Sequence, residues 1–355
     1  MTTRKVRWGV IGAGGIADRR TIPGILQSSN AELIAVAGTS ADSARVVAAK
    51  YGVPDFYDNE DDLLANPQVE AVYIATPVAA HHEQAAKAAR LGKHILLEKP
   101  LALTAAQSAE LVDLCDERGV LFAAGMMMRF HRDHVKAKQL ISSGALGQLV
   151  SARAQLTCWY PAIPGAWRQT ATTAGGGALM DMGIHCIDLL QFISGSRVTG
   201  VMAMTGTKTF AYDVEDSASV VMEFDNGAYG YVDTNFNIPD DAAQCRLEFY
   251  GTKGSILAHG TIGQEEAGQM SVTLSDASGY DAIQSRADRA TDMTSDLTAG
   301  EGDLYEKEIT SFGRSILSGT PAEVPAADAV QVQSVIESAY RSSGQGRYVS
   351  VSGED

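Results

Sequence analysis

The first third of the chain alternates short, nearly unbroken apolar runs with longer stretches in which apolar residues recur every three or four positions. The apolar runs cover residues 6–11, 32–38, 69–75, 94–98 and 120–124, and each stops at glycine, proline or a polar turn. The intervening spacing predicts helices over 42–51, 81–91 and 105–118. The last opens at Thr104, a good N-cap, and carries Ala109, Leu111, Val112, Leu114 and Cys115 at helical spacing. Strands this continuously apolar, separated by helices, predict a parallel sheet covered on both faces. The expected fold is therefore an α/β, doubly wound nucleotide-binding domain.

Beyond about residue 128 the pattern changes. Helices are expected over 134–143 and 184–193, and strands over 149–160, 198–205, 218–224, 227–234, 245–250, 254–258 and 270–274. Asp225-Asn226-Gly227 and Gly251-Thr252-Lys253-Gly254 read as hairpin turns, and successive hairpins imply an antiparallel sheet. Residues 304–317 and 326–341 read as closing helices, and the polar stretch 264–302 as a loop beside the pocket mouth. A chain of 355 residues suits two domains. The boundary is expected after residue 128, giving a dinucleotide-binding domain over 1–128 and an α+β domain over 129–355.

Charge and composition narrow the partners. The formal net charge of -15 leaves no basic excess to meet nucleic-acid phosphates or an anionic membrane. No apolar stretch approaches the roughly 18–20 residues of a membrane span, and the opening residues carry no secretory leader pattern. Cys115, Cys158, Cys186 and Cys245 are scattered, with no CxxC pair, and read as reduced thiols. A cytoplasmic protein is expected.

The candidate chemistry lies in four short stretches. Gly12-x-Gly14-x-x-Ala17, with Gly15 and Ile16 inside it, directly follows the first strand. Glycines there allow a tight turn and close approach to a pyrophosphate at a helix N-terminus, although a plain strand–helix turn uses them too. The second strand ends in Gly38-Thr39-Ser40 rather than an acid. Thr39 and Ser40, with Arg45 nearby, leave room and donors for a 2′-phosphate, so NADP(H) is favoured over NAD(H). Thr76-Pro77 and His81 follow the third strand, where His81 is either close to the cofactor or a solvated residue of the helix start. Glu98-Lys99-Pro100 ends the fourth strand, at the sheet edge where ligands lie in such folds. Lys99 there is either a catalytic ammonium or a surface lysine in a turn. Asp181 and His185 are four residues apart, close behind Gly175-Gly176-Gly177, and a histidine near its usual pKa exchanges protons at neutral pH. A core histidine bonded to a helix carboxylate is the alternative. Arg129, Tyr160, Trp167 and Arg168 are further candidates for holding a sugar-like substrate. A metal held by Asp181, His185 and Asp188, or by His131 and His134, is disfavoured because no third histidine or cysteine lies nearby in sequence.

In these motifs the chain resembles the glucose–fructose oxidoreductase / inositol dehydrogenase (Gfo/Idh/MocA) family. The resemblance rests on the loop at 12–17, Ala75-Thr76-Pro77 with His81, Gly92-Lys93-His94 leading to Glu98-Lys99-Pro100, and the Gly175-to-Asp188 stretch. It implies a Rossmann domain followed by a substrate-binding and oligomerisation domain with a large, open, mostly antiparallel sheet. It implies a sugar, anhydrosugar or polyol substrate, and homodimers or homotetramers packed through that sheet. Lys99 would be the catalytic lysine, His185 the acid–base residue and Asp181 its partner; the Thr39–Asp42 and 160–168 stretches look most like NADP-dependent 1,5-anhydrofructose reductases. His131-Arg132 depart from the family's usual pattern.

The expected activity is hydride transfer between a nicotinamide and a secondary hydroxyl or ketone. The rivals are an oxidoreductase that retains its nucleotide and shuttles hydride between two sugars, a non-catalytic sensor of the same fold, and a metal-dependent hydrolase.

Overall fold

The computed structural model describes residues 4–275, 279–280, 282, 293–297 and 302–351. In chain order, β1 (Val6–Ile11) leads through a glycine loop and a π-helical turn (Ala17–Thr21) into α1 (Ile22–Gln27). There follow β2 (Ala31–Ala37), α2 (Ala41–Tyr51), β3 (Asp55–Tyr57), α3 (Glu60–Ala65), β4 (Ala71–Ile74), α4 (Val78–Arg90), β5 (His94–Glu98), α5 (Ala105–Arg118) and β6 (Phe122–Gly125). Next come α6 (Arg132–Ser142), β7 (Leu149–Thr157), α7 (Ala171–Ala174), a second π-helical turn (Leu179–Gly183), α8 (Ile184–Ser194), β8 (Val198–Gly206), β9 (Ser217–Phe224) and β10 (Tyr229–Asn235). The chain closes with β11 (Arg246–Gly251), β12 (Gly254–His259), β13 (Gly268–Leu274), β14 (Met293–Leu297), α9 (Leu304–Ser318), α10 (Ala326–Gln345) and β15 (Val349–Ser350).

Two compact units result, each discontinuous in sequence. The first comprises Met1–Met127, Pro164–Asp181 and Asp303–Ser334; the second comprises Met128–Ile163, Met182–Gly302 and Val335–Asp355. The sequence pattern suggested one cut after residue 128, but two later segments return to the first unit.

The first unit is built on a parallel six-stranded sheet in the order β3-β2-β1-β4-β5-β6. β4 is buried at all four positions, which is why its sequence shows no alternation. α9 completes the core on one side: Ile309 and Phe312 join Trp8, Val10 and Ile25, with the Trp8 and Phe312 rings 5.8 Å apart. α9 reaches α1 at Gly24, where a Cβ would lie only 2.9 Å from the Glu306 backbone nitrogen. The strand order reverses beside β1, the position at which doubly wound sheets open a crevice for a ligand.

The second unit carries a nine-stranded sheet in the order β14-β13-β12-β11-β7-β10-β9-β8-β15. β7 and β10 pair in parallel and the other pairs are antiparallel. The expected Asp225–Gly227 turn joins β9 to β10, with Gly227 at φ +82°. Alternation is clean along β9, where Ala218, Val220, Met222 and Phe224 are buried. On the opposite face Met202, Val221, Tyr231, Arg153, Glu248 and Leu257 stand side by side across six strands. Within the stretch expected to be a loop, β13 and β14 pair with each other; much of the rest lies outside the described residues. Among the described residues no helix is long and apolar enough to cross a membrane.

Candidate active site

In the first unit, β1, β4 and β5 are parallel neighbours, so their carboxyl ends share one edge of the sheet. After β1 the chain crosses the start of the β4–α4 loop. Gly12 has φ +81°, and a Cβ there would lie 2.9 Å from the Ala75–Thr76 backbone, so only glycine fits. The Gly12 and Ala13 amides donate to the Ala37 carbonyl at 3.0 and 3.1 Å, tying the loop to β2. Gly14 and Gly15 face open space, with nothing within 4 Å of a Cβ at either. Ile16 then leads into the π-helical turn. Exposed glycine backbone running into a helical start is a cradle for a pyrophosphate, and the residues present fit a dinucleotide.

Thr39 and Ser40 follow β2 and are both exposed. Ser40 caps α2: the Ser43 amide donates to its Oγ at 3.2 Å, and the Ser43 hydroxyl donates to its carbonyl at 2.8 Å. The Arg45 guanidinium lies 2.8 Å from Asp42, one turn away, and both side chains are exposed.

At the end of β4 the Thr76 hydroxyl donates to Gln84 Oε1 at 2.6 Å, and exposed Pro77 begins α4. His81 is not the solvated residue that its place near a helix start suggested. It is buried, with Nδ1 2.8 Å from the Pro100 carbonyl and Nε2 2.8 Å from the Thr76 carbonyl. Burial, above all, pushes its pKa down. The ring thus straps the loop after β4 to the loop after β5. Gln84 was not foreseen; its polar side chain at a buried helix position is the signal that marks it.

At the end of β5 the Lys99–Pro100 bond is cis. Lys99 Nζ donates to the Asp181 carbonyl at 2.6 Å and to Asp181 Oδ1 at 2.8 Å. Arg168 Nε stands 3.6 Å from the same Oδ1, and its guanidinium lies over Trp167 at 4.3 Å from the ring centroid. Gly175, at φ +78°, ends α7 and turns the chain towards Asp181. Val78, Pro100, Trp167, Arg168, Gly176 and Asp181 border a small crevice. Asp181 therefore fixes the ammonium between a carbonyl and a carboxylate, where a lysine can present its remaining proton to an oxygen. Glu98 accepts from the Tyr73 hydroxyl and from the Lys99 amide.

The remaining candidates belong to the second unit. His185 lies in the first turn of α8 and is buried. Arg129, a candidate for holding the substrate, pairs with an acid of α8. It is buried, and its guanidinium meets Asp188 at 2.5–3.1 Å through three contacts. Two opposite charges so enclosed hold each other. Tyr160 packs its ring edgewise on Phe236 at 5.1 Å and accepts the Tyr212 hydroxyl at its carbonyl, 3.1 Å away. His131 and His134 stack at 4.5 Å, and burial, aided by His131, pushes His134 down to about 3.

Residues 6–126 match the oxidoreductase family, NAD-binding Rossmann fold, and residues 134–257 match the GFO/IDH/MocA C-terminal domain. The chain is 29% identical over 311 residues to a 1,5-anhydro-D-fructose reductase of Ensifer adhaerens, covering 87% of this chain and 88% of that one. It is 31% identical over 252 residues to trans-1,2-dihydrobenzene-1,2-diol dehydrogenase of Mus musculus, covering 70% and 73%. Its fold superposes on that of a levoglucosan dehydrogenase solved with NADH and levoglucosan, with a TM-score of 0.85, 24% identity, and coverage of 98% and 100%. With a glycine cradle after β1, a lysine held at the end of β5 and both family domains matched in order, the chain belongs to the GFO/IDH/MocA family of NAD(P)-binding oxidoreductases.

Proposed function

We propose that this protein is an NADP(H)-dependent oxidoreductase acting on a secondary hydroxyl or ketone of a sugar, anhydrosugar or polyol. The observation that carries this reading is the Lys99 ammonium, held by Asp181 at the sheet edge that also bears the Gly12–Ile16 loop. The names of the relatives, an anhydrofructose reductase and a levoglucosan dehydrogenase, support the substrate class.

The bound dinucleotide supplies a nicotinamide ring that exchanges hydride with the substrate carbon. The chain does the rest. Gly12, Gly14, Gly15 and Ile16 hold the pyrophosphate. Thr39 and Ser40 supply donors to a 2′-phosphate, and Arg45 leaves Asp42 to meet it. Thr76, Pro77, His81 and Glu98 shape the ends of β4 and β5. Lys99 donates a hydrogen bond to the substrate oxygen and so stabilises charge developing there. Asp181 orients Lys99, and Trp167, Arg168 and Tyr160 contribute to substrate binding. His185 takes the hydroxyl proton in oxidation and returns it in reduction.

A panel of sugars and polyols, followed by the absorbance of the reduced nicotinamide with each nucleotide, tests the reading. Turnover is expected with NADPH or NADP+ in preference to NADH or NAD+. His185→Ala is expected to lower kcat by about 10²–10⁴-fold while nucleotide affinity stays nearly unchanged. Unaltered kcat in that variant removes His185 from the chemistry, and tighter binding of NADH than NADPH overturns the cofactor preference.

The open sheet face of the second unit is assigned to self-association as a homodimer or homotetramer. Met202, Met204, Val221, Tyr229 and Tyr231 are exposed there, and an apolar face of this kind marks an interface. The four cysteines carry no disulfide, which suits a reducing, cytoplasmic setting.

A further inference from the structure

Helix α9 buries a stripe of Leu304, Tyr305, Ile309 and Phe312, and Glu308 stands in the middle of it. Its side chain is buried, and its Oε1 has no hydrogen-bond partner. The charge of like sign that acts on it is that of Glu98, the acid that precedes Lys99. Glu98 packs over Gly125, where a Cβ would lie 3.5 Å from its carboxyl carbon. Its two oxygens are satisfied: Oε1 accepts from the Tyr73 hydroxyl, and Oε2 accepts from the Lys99 amide at 3.3 Å.

Two carboxylates enclosed together do not both ionise, and the one with fewer donors takes the proton. Burial pushes the Glu98 carboxyl up as well, but its two donors and the Lys99 and Arg168 charges oppose that shift. Glu308 has no donor for its Oε1, and the Met126 amide close by is engaged by the Ala124 carbonyl at 2.9 Å. An ionised, buried oxygen without a donor is the costly arrangement. The other titratable groups facing the pair do not reverse this. Tyr73 and Tyr305 are both pushed up, first by burial, and Arg20 and Asp303 face Tyr305 rather than Glu308.

We propose that Glu308 is a positioning residue that holds one proton in this buried pair, so that Glu98 alone carries charge and stays fixed between Tyr73 and the Lys99 backbone. Its role rests on Lys99 being the catalytic lysine; its protonation does not. Burial, first, and then the Glu98 charge push the Glu308 carboxyl well up. A raised carboxyl binds a proton in the folded chain that the unfolded chain has released. Stability is therefore lost as pH rises above the unfolded value, by about tenfold in the folding equilibrium per pH unit for one proton.

The test compares Glu308→Gln with the unaltered protein by three readouts. Infrared spectra are expected to lose the carbonyl stretch of one protonated carboxyl. The fall in folding stability between about pH 6 and 8 is expected to flatten by one proton. The alkaline limb of kcat is expected to move up by about one pH unit or more, since no second charge forms beside Glu98. Glu308→Leu, apolar like its neighbours on the stripe, gives the first two readouts again should the glutamine variant fail to fold. An unchanged infrared band or parallel stability curves overturn the proton assignment without any turnover measurement. An unmoved alkaline limb in a variant that shows the first two changes overturns the positioning role and leaves the oxidoreductase reading standing.

Discussion

Asp216, at the entrance to β9, receives the backbone amides of Lys208, Thr209 and Phe210 at 2.8–3.0 Å, and the Ser217 hydroxyl. Burial pushes its carboxyl up, but these donors outweigh it and the net shift is downward. A carboxyl lowered in the folded state adds stability above its unfolded pKa of about 3.9, and that contribution is lost as pH falls through the folded value. Asp216→Ala is expected to cost about 3 kcal/mol or more at neutral pH, because three amides lose their acceptor. Asp216→Asn should flatten the acid limb of the melting temperature; melting curves between about pH 2 and 7 check both. At this scale the sequence was readable where a motif fixes the backbone and misleading where burial decides. Gly12 could be picked out because its turn admits only glycine, and Lys99 and Asp181, singled out by type and spacing, do meet. That Pro100 closes over His81 and that Asp188 lies against Arg129 could not be read, because nothing local shows either contact.

Among elements, strands β1 and β5 and helix α5 appear with the bounds that the apolar pattern suggested. They are long enough for period and caps to agree. Thr104 does cap α5, accepting the Gln107 amide at 3.2 Å. Thr104→Ala is accordingly expected to lower stability by about 1 kcal/mol without altering nucleotide binding, as measured by urea unfolding and nucleotide titration. β3 and α3 went unseen because three and six residues are too few for a period to show. β14 was unseen for another reason: Met293–Leu297 is largely polar, and it is a strand because β13 offers it an edge.

At the scale of the whole molecule, the second unit's exposed row from Met202 to Leu257 leaves apolar side chains on an open sheet face. If that face joins copies, Met204→Asp combined with Tyr231→Asp should give a smaller species in sedimentation, with unchanged far-ultraviolet circular dichroism. An unaltered mass would place the contact elsewhere. The alternating pattern made this sheet readable, whereas its central parallel pair did not show, because pairing partners 78 residues apart leave no local trace. The same holds for α9, whose return to the first unit depends on Phe312 meeting Trp8.

That return has a consequence for how the chain is made. A nucleotide-binding unit confined to its first 128 residues would be finished early on the ribosome. Here Trp8 waits for Phe312, and synthesis of the intervening stretch takes roughly 15–60 s at ordinary elongation rates. Through that interval the nascent sheet has one side of its core uncovered, a state that invites chaperone capture. Release of nearly the whole polypeptide, rather than of its amino-terminal third, is then the event that first closes this core.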